Sequence, residues 1–327
     1  MSVGKLFHVI HVSEALGPLD AWYDRVFGAH HGMMDGHYLP REERMGSLLV
    51  VADAVIETAA PADRPAARTA PIGRFFSRFG RHWHSLAWYC DDVAEMWDRL
   101  TEAGIRVFLP GRVTGRRPDH GDIYTHPRDT FTQLEFYEPS PREGGPHGPG
   151  RFADPRFESG WPARWAAGPN PLGIEALSHA TVVVPDLGKA AAVYVDAVGG
   201  TLLHEKTSAE TGTRSIFVQI GAELIVELAM PVAMPVAVPV AVPPAGARDA
   251  AAGGAAALAR RDLEANGPAC HALTFVVSEL DRAADHLRRS GVGLLWHGTE
   301  ALMTDPAHTF GAPFRFTTRR IPGGPPG

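Results

Sequence analysis

The sequence predicts an α+β protein assembled from four repeated βαβββ modules, on three observations. A histidine is followed twenty residues later by a glycine in four places: His8 and Gly28, His84 and Gly104, His179 and Gly199, His271 and Gly291. Each histidine opens a strand-like apolar run (HVIHV, HSLAWYC, HATVVV, HALTFVV) that leads into an amphipathic helical stretch, with the glycine where that helix should stop. Three of the four units then end in Glu-x3-Pro: Glu57 with Pro61, Glu135 with Pro139, Glu227 with Pro231. These glutamates follow their histidines by 49, 51 and 48 residues. A period of this kind sets the architecture before any single element is considered.

Each module reads in the same order. The helix DDVAEMWDRLTEAGI begins on Asp residues suited to cap it and ends on a Gly suited to the left-handed position after it. Its Val93, Met96, Trp97 and Leu100 fall at helical spacing and predict the buried face. PDLGKAAAVYVDAVGG and SELDRAADHLRRSG repeat that plan, and Pro/Gly clusters separate the strands that follow. The fourth unit breaks the ending: GAPFRFTTRRIP puts Phe314, Arg315 and Phe316 where the glutamate should fall. A stretch rich in Pro, Gly, Arg and Trp, residues 141–173, is expected to link two domains, 1–140 and 174–327. Its tryptophans predict packing against a domain. In the second domain the Pro/Ala-rich segment at about 230–261 reads as an inserted loop without chemistry of its own, because a Pro at every few positions forbids a regular helix or central strand.

Bulk properties exclude several functions. A net charge of −6, with basic residues scattered, gives no electrostatic basis for binding nucleic acid or an anionic membrane. There is no apolar run of bilayer-spanning length, and MSVGKLFHVIHV does not read as a signal peptide. Two cysteines, Cys90 and Cys270, make no disulfide framework and suit a reducing compartment. The expectation is a cytoplasmic protein.

With four such modules, the strand starts HVIHV and HATVVVPDL, Tyr23 and Tyr194 in the helices, and the Glu-x3-Pro endings, the chain resembles the vicinal oxygen chelate superfamily. That group includes glyoxalase I, methylmalonyl-CoA epimerase, extradiol dioxygenases and fosfomycin- and bleomycin-resistance proteins. The resemblance covers nearly everything except the linker and the Pro/Ala segment. It implies that modules pair into two glyoxalase-like open-barrel domains, with metal ligands on the first and last strands of the paired modules. Two pairings are open, first with second and third with fourth, or first with fourth and second with third; the linker position favours the sequential one. Carried over, the resemblance gives a metal set of His8, Glu57, His84 and Glu135 in the first half. His179, Glu227 and His271, without a fourth carboxylate, form a second or vestigial set.

Imidazole and carboxylate donors without a thiolate suit one divalent ion among Fe, Mn, Co, Ni and Zn. Such an ion chelates a small substrate through neighbouring oxygens, while Glu57 or Glu135 serves as the base that moves a proton beside a carbonyl. A lone histidine at a strand start is ordinarily a packed residue; four in register, three with a glutamate in register, point to ligands. His11 should face the opposite side of its strand from His8 and be structural. His82, Tyr124 and His126 are candidate pocket residues, and Arg315 reads as a surface arginine or an anion contact. The leading expectation is an isomerase, epimerase or lyase working by enolate-type proton transfer. The alternatives are an Fe(II) extradiol-type dioxygenase and a non-catalytic metabolite- or antibiotic-binding protein. Against the dioxygenase, YTHPRDTFTQLE lacks that group's Tyr, Asp-Pro-x-Gly, Glu order. A homodimer is compatible with all three.

Overall fold

The computed structural model describes residues 2–139, 154–232 and 253–325. Module 1 runs β1 (Val3–Val12), α1 (Leu16–Phe27), β2 (His30–Leu39), β3 (Arg44–Val51) and β4 (Ala54–Pro61). After a 3-10 turn (Pro65–Thr69) and α2 (Pro71–Phe79), module 2 follows: β5 (His82–Cys90), α3 (Val93–Glu102), β6 (Val107–Phe108), β7 (Gly121–Thr125), α4 (Pro127–Thr130) and β8 (Gln133–Glu138). The segment before the second half contributes α5 (Trp161–Ala167). Module 3 comprises β9 (Ile174–Val183), α6 (Leu187–Ala191, continuing as a π-helical turn, Ala192–Ala197), β10 (Thr201–Ser208), β11 (Thr213–Ile220) and β12 (Leu224–Pro231). Then come α7 (Gly253–Asn266) and module 4: β13 (Ala269–Val277), α8 (Leu280–Arg289), β14 (Leu294–His297), β15 (Ala301–Thr304) and β16 (Phe314–Thr317).

The strands form two eight-stranded sheets with one topology, β2-β3-β4-β1-β5-β8-β7-β6 and β10-β11-β12-β9-β13-β16-β15-β14. Modules therefore pair first with second and third with fourth. Within each half the first strands of the two modules lie antiparallel at the centre, and each runs parallel to the last strand of its own module. That is how residues nearly fifty positions apart come to share one face.

The repeated glycine has a backbone cause. Gly28, Gly104, Gly199 and Gly291 all adopt positive φ at the ends of their helices, where a side chain would strain the chain. Asp92 caps α3, accepting from the Glu95 backbone N–H at 2.7 Å, and Val93, Met96, Trp97 and Leu100 are buried. The repeated histidine does not open its strand everywhere: β1 and β9 begin five residues earlier, so His8 and His179 sit in mid-strand.

The two halves share a continuous apolar core. Phe27 of α1 packs against Phe275, Phe314 and Phe316 of the second sheet, with ring centroids 5.9, 5.0 and 6.2 Å away. Trp161 and Trp165 are buried, their indole N–H groups donating to the Ala52 and Ile174 carbonyls at 2.7 and 3.0 Å. The Pro/Ala-rich segment divides: residues 233–252 lie outside the described residues, while Gly253–Asn266 is helical, in place of the expected loop. The prolines cease at Pro244, and the Ala- and Leu-bearing sequence that follows has high helix propensity.

Candidate functional site

Strand register assembles the first-half site. Ile10 of β1 lies beside Glu57 of β4, His8 lies opposite Ala87 of β5, and Ala87 lies beside Glu135 of β8. His8 Nε2 consequently stands 3.1 Å from Glu57 Oε2 and 3.5 Å from Glu135 Oε2. It is buried and hydrogen-bonded to neither carboxylate. His84 lies on the same cavity wall, its Nδ1 2.9 Å from the Ser85 hydroxyl and its ring edge-on to Phe75.

Charge in this cluster is strongly organised. Burial works against a charged His8, and Glu57 and Glu135 outweigh it, so the imidazole titrates above its ordinary value. Burial pushes the Glu135 carboxyl up, but His8, His84 and Ser85 together hold it at about 2. His84 is pushed down to about 4, chiefly by burial, against the pull of Glu135. The Gln133 amide donates to Glu135 Oε1 at 2.9 Å.

Sequence reasoning missed Arg44. Its side chain is 7% exposed, and it donates through Nη1 to Glu57 Oε1 and through Nε to Glu42 Oε2. Gly46 makes room for it: a Cβ there would stand 2.9 Å from Arg44 Nη1 and 3.4 Å from Glu57 Oε1. The signal lay in the β3–β4 hairpin. Leu48 pairs with Glu57, and Arg44 is four residues back on the same side of the strand.

These residues line a cavity of about 970 Å³, a volume suited to a small organic ligand. All three candidate pocket residues line it. Tyr124 stacks on Phe108, 5.9 Å between ring centres. His126 caps α4, its Nδ1 accepting from the Arg128 backbone N–H at 3.2 Å. His82 donates through Nδ1 to the Trp83 carbonyl at 2.8 Å and through Nε2 to Asp262 at 3.0 Å. His11 points away, donating to the Phe310 carbonyl at 3.0 Å and accepting from Tyr23 at 2.8 Å.

The second half repeats the register with different side chains. His179 lies opposite Thr274, Thr274 beside Arg315, and Thr181 beside Glu227. Arg315 thus occupies the place of Glu135, and it pairs with Glu210 at 3.2 Å. His179 Nε2 is 3.3 Å from Glu227 Oε2, and the Thr181 hydroxyl donates to that same oxygen at 2.7 Å. Burial pushes the Glu227 carboxyl up, while His179, Thr181 and Ser215 bring it down to about 2. Helix α7 lies against β9, β12, β13 and β14. Its Asp262 accepts a hydrogen bond from His271 Nδ1 at 2.5 Å as well as the one from His82. Asp262, adjoining a segment read as without chemistry, is the second residue that sequence reasoning missed.

Among the described residues, no group of three or more His, Cys, Asp or Glu side chains is arranged to hold a metal ion. In the first half the donor chemistry nevertheless fits a divalent ion: two imidazoles, two carboxylates and a buried His8 Nε2 that lacks a hydrogen bond. In this set Glu57 Oε1 is held by Arg44, and His84 Nδ1 faces Ser85.

Residues 176–303 match the family model of the Glyoxalase/Bleomycin resistance protein/Dioxygenase superfamily. No curated protein matches the chain. Among solved structures, a triple mutant of 4-hydroxymandelate synthase from Streptomyces coelicolor is 15% identical, covering 99% of this chain and 95% of its own, with a TM-score of 0.58. The 2,3-dioxygenase LapB from Pseudomonas sp. KL28 is 11% identical over 100% of this chain and 95% of its own, with a TM-score of 0.54. Methylmalonyl-CoA epimerase from Mycobacterium tuberculosis is 22% identical over 46% of this chain and 91% of its own, with a TM-score of 0.36. The two full-length likenesses establish the shared two-domain fold. No helix among the described residues is long and apolar enough to cross a membrane.

Proposed function

We propose, for a chain whose second half matches the glyoxalase superfamily model and whose two halves repeat one fold, that the first half is a divalent-metal site for proton transfer on a small oxygenated substrate. The observation that carries this reading is the second carboxylate. Glu57 and Glu135 both face His8 Nε2 in the wall of one cavity. Burying a carboxylate with a guanidinium is costly and gives little net stability over apolar packing, so the Glu57–Arg44 pair is better explained by use than by folding.

His8, His84 and Glu135 would hold the ion. His8 must release its proton to bind it, which ties metal uptake to pH. The bound ion supplies Lewis acidity to the neighbouring oxygens of the substrate. Arg44 holds Glu57 Oε1 and leaves Oε2 as the base for a proton on the carbon next to a carbonyl. Phe75, Phe108 and Leu48 give the cavity apolar walls beside that carboxylate. Reprotonation on the same or the other face gives an isomerase or epimerase; loss of a β-substituent gives a lyase.

Replacing Glu57 with Gln keeps the size and an oxygen acceptor for Arg44 but removes the base. Metal content should persist while turnover falls by about 100-fold or more. Solvent deuterium exchange into 2-oxo acids, acyl thioesters or hydroxyketones reads the proton step directly.

One observation favours the dioxygenase as a second reading: with Glu57 on Arg44, the remaining donors are two histidines and one carboxylate, the set of non-haem Fe(II) oxygenases. Oxygen uptake with catechols, unaffected by Glu57→Gln and without deuterium exchange, would replace proton transfer by that reading.

A further inference from the structure

The mouth of the first-half cavity carries charge that the proton-transfer chemistry does not use. Arg68 lies near the end of the 3-10 turn, Arg74 and Arg78 lie on α2, and Arg128 reaches the cavity from α4. All four are exposed, and none is ion-paired among the described residues. Exposed arginines nearby are tied down differently: Arg81 to Glu14, Arg106 to Asp129, Arg117 to Asp98. Among the described residues the Arg74 side chain donates only to the Thr69 carbonyl, and Arg78 lies over the Phe79 ring, 4.8 Å from its centre.

Arg74 and Arg78 are four residues apart on one helix, a spacing at which like charges repel. Ile72 is buried and Phe75 packs on His84, so the sheet-facing side of α2 fixes where its arginines stand. Besides Glu57 and Glu135, two carboxylates line this cavity, Glu42, which is occupied by Arg44, and Asp122 on β7. In a chain of net charge −6, a cavity edged by four unpaired guanidinium groups is an electrostatic trap for an anion. Guanidinium favours phosphate oxygens in particular, through paired N–H donors.

We propose that the mouth of this cavity binds a phosphate-bearing tail, a phosphate ester or diphosphate, on the substrate whose reacting carbon meets Glu57. This rests on the reading of the cavity as the substrate site and adds a chemical class to it. The tail would remain at the arginines while the oxygenated end reaches the wall formed by His8 and the two glutamates. Binding energy from a part of the substrate that does not react can then position the part that does.

Calorimetric titration of the metal-free, full-length protein with inorganic pyrophosphate tests this without any turnover. The expected result is one saturable site per chain, weakening as ionic strength rises. Arg74→Gln/Arg78→Gln should lose about 10-fold or more in affinity, as expected for removing charge-assisted hydrogen bonds. Arg128→Gln should add to the loss. Arg214→Gln, on β11 and paired with Glu205 in the other half, should bind as the parent does. Circular dichroism checks that each variant folds.

Absence of saturable binding, or an equal loss in Arg214→Gln, overturns the proposal. Co-sedimentation with phosphatidylglycerol vesicles that depends on the same arginines and is not competed by pyrophosphate would assign them to a lipid headgroup and overturn it as well. A chain that binds pyrophosphate but exchanges no deuterium would refute proton transfer and leave the anion site standing.

Discussion

The two halves place eight strands in the same order, and they differ in what the chain does between their two modules and in two of the side chains at the site. In the first half the connection after β4 makes a 3-10 turn and α2, which edge the cavity holding His8, Glu57, His84 and Glu135. In the second, the connection after β12 ends in α7, which lies against the central strands and sets Asp262 on the His271 ring. The side chains diverge accordingly. Where the first half has Glu135 and Arg44, the second has Arg315 and Thr213 at the same register positions. A duplicated scaffold thus keeps its histidines in both copies, while the connection and two strand positions differ between them. The end of α7 also serves the first half, because Asn266 and Gly267 help line its cavity.

The largest expected effect falls on this shared element. Asp262 is buried between a histidine of each half, so Asp262→Ala strands two imidazole N–H groups and should cost about 3–5 kcal/mol, the range for breaking a buried charged pair. Its pH dependence follows from the two shifts. Asp262, although burial raises it, is held well below its ordinary 3.8 by His271 and His82, so its contribution is present above that pH and lost as pH falls. His82, although burial lowers it, is raised above 6.5 by Asp262, so its contribution is present below 6.5 and lost as pH rises through the raised value. The gap in urea unfolding between parent and variant should therefore be widest between these values and narrower at alkaline pH. A gap that grew steadily with pH would contradict the bridge between halves.

A smaller effect tests the difference in the two hairpins. Gly46→Ala would push a methyl group against the Arg44 guanidinium, costing about 1–3 kcal/mol as overpacking does. The matching position in the second half, opposite Ala229 as Gly46 is opposite Ala59, is already Ser215, because Thr213 replaces the arginine. Ser215→Ala should cost less, and chemical denaturation of the two variants compares them. Equal losses would mean that Arg44 has no special claim on that space.

Much of this was legible in the sequence, for physical reasons. Positive φ at a helix end nearly demands glycine, and a β-strand of fixed register repeats its inward residues, so the modules declared themselves through Gly28 and His8 and their counterparts. Sequential pairing was favoured by the linker and is what the sheets adopt. Arg44 was not legible, because nothing in REERMGSLLVV marks its arginine as buried until the hairpin register is known. Asp262 was hidden differently. Its bonds to His82 and His271 span 180 and 9 residues, and only the packing of α7 brings the three together. The helix itself adjoined a proline-rich run whose composition argued for a loop.

The central claim is that the first half, and not the second, carries the working metal site. Metal per chain, measured by mass spectrometry after reconstitution with a divalent ion, tests it in two variants. One ion per chain is expected in the parent, close to none in His84→Ala, and nearly the full complement in His271→Ala. Loss of the ion in His271→Ala with retention in His84→Ala, or equal loss in both, would contradict the account.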